Sequence, residues 1–233
     1  VRNITNKYLI PKFLFFKNIF FQSMPISVSI CGYALAAAII FTYVGQSGEY
    51  AVAGYGVGTR IEQVVLLPIL GINTAIISII AQNYGANNLV RIKETYFTAI
   101  KYAFIIMITA GTLVFLSASV ITSFFSSDPE VIEYGKRYLK ISAFVLPAYP
   151  VFFLSNGFFM ALKKSENAMI SNFFRNVLNP IAVFYIAKYI NASFETFFWL
   201  WVGINWFFSI SYFFIIIYYF KLKLNKPSTV VHP

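Results

Sequence analysis

Long apolar stretches separated by short polar breaks constrain this sequence more than any other feature. Each stretch is rich in aliphatic and aromatic residues and exceeds the roughly 20 residues that a helix needs to cross a bilayer core. The six stretches cover residues 19–44, 51–80, 96–122, 138–161, 168–189 and 196–220. The breaks between them contain glycine, asparagine, proline or charged residues, which favour turns. The pattern predicts six membrane-spanning helices.

Composition supports this interpretation. The chain is 59% hydrophobic and only 11% charged, whereas a soluble domain carries about 25% charged residues. Apolar runs such as residues 104–108 lack the alternation expected of barrel strands. We therefore expect an all-α integral membrane protein with a six-transmembrane-helix bundle over residues 19–220. A basic amphipathic lead-in over residues 1–18 and a cytoplasmic tail over residues 221–233 would flank it.

The basic residues indicate how the chain is oriented. The net charge is +10, but the basic residues lie between apolar runs, which points to a lipid bilayer rather than nucleic acid as the partner. Basic side chains accumulate on the cytoplasmic side of membrane helices. With a cytoplasmic N-terminus, 13 of the 18 basic residues fall on that side: Arg2, Lys7, Lys12, Lys17, Arg91, Lys93, Lys101, Lys163, Lys164, Arg175, Lys221, Lys223 and Lys226. We expect a multi-pass protein of the plasma or inner membrane with both termini in the cytoplasm.

The residue inventory argues against an enzyme. The sole histidine, His232, lies in the polar C-terminal tail, and Cys31 is the sole cysteine. Zinc-binding His-Glu-x-x-His, nucleophile-elbow and phosphate-loop motifs do not occur in the sequence. We predict no catalytic residues, no metal site and no cofactor.

The second stretch carries two charges at membrane depth, Arg60 and Glu62. A charge at the bilayer centre costs about 2.5–3.5 kcal/mol on insertion scales, so such residues face protein or water. Two positions on a helix are about 200° apart, so these side chains cannot simply neutralise each other. Each therefore needs a partner elsewhere, or protonation in the case of Glu62.

Helical geometry aligns several polar groups of this stretch. Tyr55, Gly58, Glu62 and Asn73 project within one narrow sector of the helix. They would line a cavity or form a hydrogen-bond cluster between helices, and the sequence leaves both open. Pro68 removes a backbone donor in the same helix and predicts a bend. Further candidates follow the same logic: Asn156 could face the cavity or act as a packing contact, and Gly54 with Gly58 form a small-xxx-small pair that admits a close neighbour.

The second stretch and the loop after it resemble a known family. The similarity lies in residues 53–62, in Leu67-Pro68 and Gly71, and in Ala81-Gln82-Asn83-Tyr84-Gly85-Ala86 with Arg91. These segments resemble the multidrug and toxic compound extrusion (MATE) family, in particular the seventh and eighth helices and the following cytoplasmic loop of its second lobe. Within the loop we expect Asn83 and Gly85 to end the helix in a left-handed conformation, and Arg91 to hold the turn at the anionic leaflet.

The resemblance implies a twelve-helix transporter of two six-helix lobes that alternates between inward- and outward-open states. Such a protein exports cationic or amphipathic organic compounds in exchange for Na⁺ or H⁺. This chain would supply the C-terminal lobe, and its partners would be the missing N-terminal six-helix lobe and small organic substrates. Because the sequence begins at Val1 and covers one lobe, we expect a fragment or half that cannot complete transport alone.

One departure from the family affects the site. Some relatives bind the coupling cation through acidic residues in the first and fourth helices of this lobe, and here the first stretch has no acidic residue. We therefore expect Glu62 to shape the central cavity, with coupling mainly in the other lobe. The alternatives are a flippase for lipid-linked saccharides, which share this architecture, a membrane-embedded enzyme, and an assembly subunit that transports nothing.

Overall fold

The computed structural model describes residues 13–224, and every element within that range is a helix. The helices are α1 (Phe13–Val44), α2 (Glu49–Gly85), α3 (Leu89–Phe125), α4 (Pro129–Ser142), α5 (Tyr149–Ala161), α6 (Ser165–Phe173), α7 (Asn179–Tyr189) and α8 (Phe194–Leu224). The predicted lead-in lies outside the described residues up to residue 12, and the predicted tail lies outside them from residue 225.

These helices correspond to the six predicted membrane spans, which we call rods because two of them consist of two helices in line. Four described stretches are long and apolar enough to cross a membrane, Glu49–Gly85, Leu89–Phe125, Pro129–Ala161 and Phe194–Leu222, and Cys31–Ser47 is a shorter apolar helix. The fourth rod consists of α4 and α5, and the fifth of α6 and α7. The prediction of an all-α membrane protein with a six-rod bundle is confirmed.

The turns between rods are closed by side chains and by left-handed residues. The Asp128 carboxylate accepts a hydrogen bond from the backbone N–H of Glu130 at 2.9 Å, which caps α4. After α2, the left-handed residue is Asn87, with φ of 54°. Gly85 is the last helical residue, so the prediction that Asn83 and Gly85 supply the left-handed conformation is wrong. The turn is completed two residues later, where an asparagine also tolerates positive φ.

Prolines coincide with interruptions of the fourth and fifth rods. Between α4 and α5 the chain forms a short 3₁₀ turn, Leu146–Ala148, which contains Pro147. Between α6 and α7 it forms a π turn, Phe174–Leu178, just before Pro180. A proline cannot donate to the preceding helical turn, so a wider turn at this point accommodates the missing hydrogen bond. By contrast, α2 continues through Pro68 as one helix.

Helix α2 packs most extensively against α3, α4 and α5. Glycines allow the closest contact, because a Cβ atom at Gly54 would lie 2.7 Å from the backbone nitrogen of Gly135 on α4. At Gly58 the same atom would overlap the Tyr138 ring. We refer to α2, α4 and α5 as the packed wall, and to α6, the π turn and α7 as the broken rod.

Candidate functional site

Glu62 lies where three helices of the packed wall meet. The Tyr149 hydroxyl on α5 donates to one oxygen of the Glu62 carboxylate at 2.5 Å, and the Tyr138 hydroxyl on α4 donates to the other. Hydrogen bonds to an ionised group are about twice as strong as neutral ones. Each carboxylate oxygen therefore has a protein partner, which offsets the cost of placing this group within a membrane span.

Beside this carboxylate is a cavity of about 240 Å³, which we call the Glu62 cavity. It lies between α1, the packed wall, the π turn and α8. Seven of its sixteen lining residues are aromatic and five others are polar or charged: Tyr33, Ala36, Ala37, Ile40, Tyr55, Thr59, Glu62, Gln63, Leu66, Tyr138, Tyr149, Phe153, Arg175, Asn176, Phe198 and Trp201. An apolar pocket with a few convergent polar groups is the usual form of a small-molecule site.

The cavity lining also includes a buried cation. Arg175 belongs to the π turn and is 7% exposed. Its guanidinium carbon lies 4.1 Å from the centre of the Phe152 ring and 5.0 Å from that of Tyr149, distances typical of cation–π contacts. Its Nε donates to the Asn205 amide oxygen at 3.2 Å. The cavity therefore contains both a carboxylate and a guanidinium, with Tyr149 in contact with both.

The structure brings some of the predicted site residues together. Tyr55 and Glu62 both line the cavity, and the Tyr55 ring packs edge-on against Tyr138 with centres 5.0 Å apart. Gly58 makes room for that same Tyr138 ring. This part of the polar stripe forms both a cavity wall and a hydrogen-bond cluster between helices, the two arrangements that the sequence left open.

Three other candidates lie away from the cavity. Arg60 is exposed on the surface of α2. Asn73 packs into the space left by Gly157 on α5, where a Cβ would overlap the Asn73 amide oxygen. Asn156 is buried and joins α5 to α6 and α8, since it donates to Asn172 at 3.2 Å and accepts from the Tyr212 hydroxyl at 3.2 Å. Asn156 thus joins helices by hydrogen bonds, whereas Asn73 only packs against α5 and its amide oxygen is buried without a partner.

The motif residues lie in the last turn of α2 and at the start of α3, on either side of an exposed turn. The Gln82 amide donates to the Ser78 hydroxyl at 3.3 Å, and the Asn83 amide donates to the Ile79 carbonyl at 2.8 Å. Arg91 pairs with Glu94 at 3.2 Å one turn further along α3. These side chains serve the helix end and lie apart from the cavity.

Sequence reasoning missed four residues of the site. Tyr138 and Tyr149 are eleven residues apart on the fourth rod, and the break between α4 and α5 separates them. Arg175 and Asn176 lie in the π turn. The sequence predicts that Arg175 lies on the cytoplasmic side, whereas in the structure it is buried within the bundle. The available signal was chemical: a carboxylate in a membrane span requires donors, and Tyr138 and Tyr149 are phenols within predicted spans.

The site has little capacity for a metal ion. Within residues 13–224, no three acidic, histidine or cysteine residues cluster closely enough to hold one. Glu62 is the one acidic residue in the cavity lining, and both of its oxygens already accept hydrogen bonds. The cavity is suited to an organic ligand that packs against the aromatic side chains of the lining and forms hydrogen bonds with a few polar ones.

The chain is similar to several curated proteins. It is 25% identical over 158 residues to the FAD transporter of Shewanella oneidensis, an alignment that covers 68% of this chain and 35% of that protein. It is 25% identical over 164 residues to the multidrug export protein MepA of Staphylococcus haemolyticus, covering 70% of this chain and 36% of the relative. The matched segments thus span about a third of each relative's length.

Solved structures share the fold over almost all of this chain. A transporter of the MOP superfamily from Pyrococcus furiosus superposes with a TM-score of 0.86 at 22% identity, covering 96% of this chain and 50% of that one. A MATE family transporter in an outward-facing conformation gives a TM-score of 0.82 at 23% identity, covering 97% of this chain and 51% of the other. The MatE family model matches residues 25–185, more than half of the sequence. This chain belongs to the MatE family, the same family that the α2 segment and its loop resemble.

Proposed function

We propose that this chain is the C-terminal lobe of a secondary active transporter that exports cationic or amphipathic organic compounds in exchange for Na⁺ or H⁺. The observation that carries the proposal is the Glu62 cavity, an aromatic pocket within the membrane-spanning part of the bundle that holds a carboxylate and a guanidinium. Aromatic walls suit flat amphipathic molecules, and the charged groups orient them.

The surface of α2 supports a second lobe as the partner. Arg60 is exposed in the first half of this membrane-length helix and has no ion pair among the residues that the structure describes. An exposed guanidinium at membrane depth must face water or protein rather than lipid tails. A second six-helix lobe across a water-filled space meets that requirement, in line with relatives about twice as long as this chain.

The functions of two relatives agree with transport of organic compounds. One is an FAD transporter and another a multidrug export protein. A row of basic residues would favour a lipid-linked saccharide, but Arg175 is the one basic residue in the cavity lining. A non-transporting subunit would have its polar groups satisfied and no cavity, unlike the described bundle.

The proposal assigns Glu62 to the cavity and coupling mainly to the other lobe. The test uses liposomes that contain the complete two-lobe transporter, loaded in turn with an amphipathic cation and an amphipathic anion, under a Na⁺ or proton gradient. Both compounds are dyes, and we expect the transporter to export at least one of them. Export should be about tenfold slower in Glu62→Gln, because the tyrosine pair loses its charged acceptor.

Glu94→Gln is the matched control, since Glu94 is an exposed carboxylate that pairs with Arg91 outside the cavity. Unchanged export and unchanged pH dependence in Glu62→Gln would remove the carboxyl from the transport cavity. Residues 1–233 alone should move neither dye, and robust export by this chain alone would contradict the two-lobe proposal.

A further inference from the structure

Arg175 carries a charge that the described protein does not neutralise. The ion pairs of residues 13–224 join Arg91 to Glu94, Lys136 and Arg137 to Glu133, and Arg137 to Glu195, and none includes Arg175. The single hydrogen bond found for its guanidinium runs from Nε to Asn205. The terminal nitrogens of this cavity-lining residue therefore retain donor capacity at membrane depth, where an unpaired charge is costly.

Glu62 is not that partner in this arrangement, because no ion pair joins its carboxylate to Arg175. Its two oxygens each accept from a tyrosine hydroxyl, and the ring of one of these tyrosines, Tyr149, contacts the Arg175 guanidinium. The carboxylate is thus bound to the packed wall, and the guanidinium lines the cavity from the broken rod. The two opposite charges share one cavity without pairing.

The neighbouring residue adds a second free donor. Asn176 is 4% exposed and lines the same cavity. Its amide nitrogen is buried without a hydrogen-bond partner. Leaving a buried donor unsatisfied is costly, and native proteins keep few such groups. Two adjacent residues of one π turn thus line one cavity and have donors without a partner among the described residues, and π turns recur at functional sites.

We propose that Arg175 and Asn176 form a binding site for the anionic group of the cargo, a carboxylate, sulfonate or phosphate carried on an aromatic body. This inference rests on the proposed transport function and narrows it to cargo with such a group. A planar guanidinium matches the geometry of an oxyanion, and the adjacent amide adds one donor. The aromatic body would pack against Tyr55, Phe198 and Trp201 of the cavity lining.

A purely structural role for the same residues leads to a different expectation. In that case Arg175 only joins the π turn to α5 and α8 through its ring contacts and its hydrogen bond to Asn205. Asn176 would then keep an unsatisfied amide nitrogen that has no role in binding. Substitutions would then change stability without distinguishing ligands by charge. Two probes with the same ring and opposite charge separate the two roles.

The experiment measures equilibrium binding of radiolabelled naphthaleneacetate and naphthylethylamine to the complete transporter in detergent. In Asn176→Leu we expect about tenfold weaker binding of the anion, equivalent to one lost hydrogen bond to a charged group. Binding of the cation should stay within about twofold. The melting temperature should hold or rise, since the substitution removes an unpartnered polar group.

Arg175→Lys tests the guanidinium while keeping the charge. We expect its affinity for the anion to lie between that of the unchanged protein and that of Asn176→Leu, because an ammonium cannot present two parallel donors. Arg91→Lys makes the same exchange at an exposed arginine outside the cavity and should leave both affinities unchanged.

Three results would overturn the site: no anion binding by the unchanged protein, unchanged anion affinity in both Asn176→Leu and Arg175→Lys, or equal losses for the two probes. Cation binding that depends on Glu62, together with active dye export, would then leave the proposed transport function standing. Failure of the complete transporter to export either dye would instead overturn the transport function itself.

Discussion

The packed wall and the broken rod treat their buried polar groups in opposite ways. In the packed wall, Glu62 accepts from two tyrosines, and the Ser155 hydroxyl of α5 lies 2.7 Å from that of Tyr96 on α3. In the broken rod, the amide nitrogen of Asn176 and both amide atoms of Asn179 are buried without partners. The Asn73 oxygen is the exception on α2.

This difference suggests that the packed wall is the rigid part of the bundle and that the broken rod is the part that gains hydrogen bonds when a ligand binds or the packing changes. A satisfied buried network rigidifies the helices that carry it. Unsatisfied donors and acceptors gain free energy whenever a ligand or a second packing arrangement supplies partners. Because the broken rod also contains the π turn, we infer that the packed wall positions Glu62 and that the broken rod supplies the polar groups that respond to cargo.

The contact at Gly58 is the strongest test of the packed wall. Gly58→Ala places a methyl group in the space of the Tyr138 ring, so the ring must move and its hydrogen bond to Glu62 must weaken. Overpacking of this kind costs about 1–3 kcal/mol, and we expect the upper end of that range. The measurement is the free energy of unfolding in mixed micelles, titrated with sodium dodecyl sulfate.

Gly56→Ala is the control, because a Cβ at Gly56 has no atom within 4 Å. There the substitution should stabilise the helix by up to about 1 kcal/mol through helix propensity. Equal losses at Gly56 and Gly58 would show that the wall is not tightly packed at Tyr138.

Much of the packed wall could be predicted from the sequence. Apolar length predicted the rods, and helical periodicity placed Tyr55, Gly58 and Glu62 on one face of α2. The same reasoning could not find Tyr138 or Tyr149, because the break between α4 and α5 disrupts helical periodicity along that rod. Their pairing with Glu62 depends on contacts across 76 and 87 residues of sequence.

The hydroxyl of Tyr149 gives the next test, with a smaller expected effect. Tyr149→Phe keeps the ring beside Arg175 but removes the donor to Glu62. A hydrogen bond to a charged group contributes about 1.5–3 kcal/mol, so we expect a loss of about 2 kcal/mol in the same titration. In a Glu62→Gln background the loss should shrink, because the charged acceptor is gone.

Tyr33→Phe is the matched control, since Tyr33 lines the cavity but is exposed and makes no hydrogen bond among the described residues. This substitution should leave the free energy of unfolding unchanged. If Tyr149→Phe cost as much in the Glu62→Gln background as it does when the carboxylate is present, the tyrosine and the carboxylate would be independent of each other.

The broken rod was harder to predict because its main feature is a departure from regular helix. Pro180 signalled an interruption, but proline alone does not specify a π turn over a kink. The turn brings Arg175 and Asn176 to the cavity. Position along the sequence instead suggested a cytoplasmic location for Arg175, since it follows the basic turn at Lys163 and Lys164.

Substitution of Asn179 should give the smallest change in the free energy of unfolding. Its sign should be opposite to that of the packed-wall substitutions, because the bundle should become more stable. Asn179 is 1% exposed, and neither of its amide atoms has a partner. Leucine is a branched side chain without a polar group, so Asn179→Leu should raise the free energy of unfolding by about 1 kcal/mol, the lower end of the cost of an unsatisfied buried group. Asn156→Leu is the control that should destabilise the bundle, since Asn156 bonds to both Asn172 and Tyr212. If Asn179→Leu lowered stability as much as Asn156→Leu, Asn179 would have partners in the membrane, and the broken rod would be as self-sufficient as the packed wall.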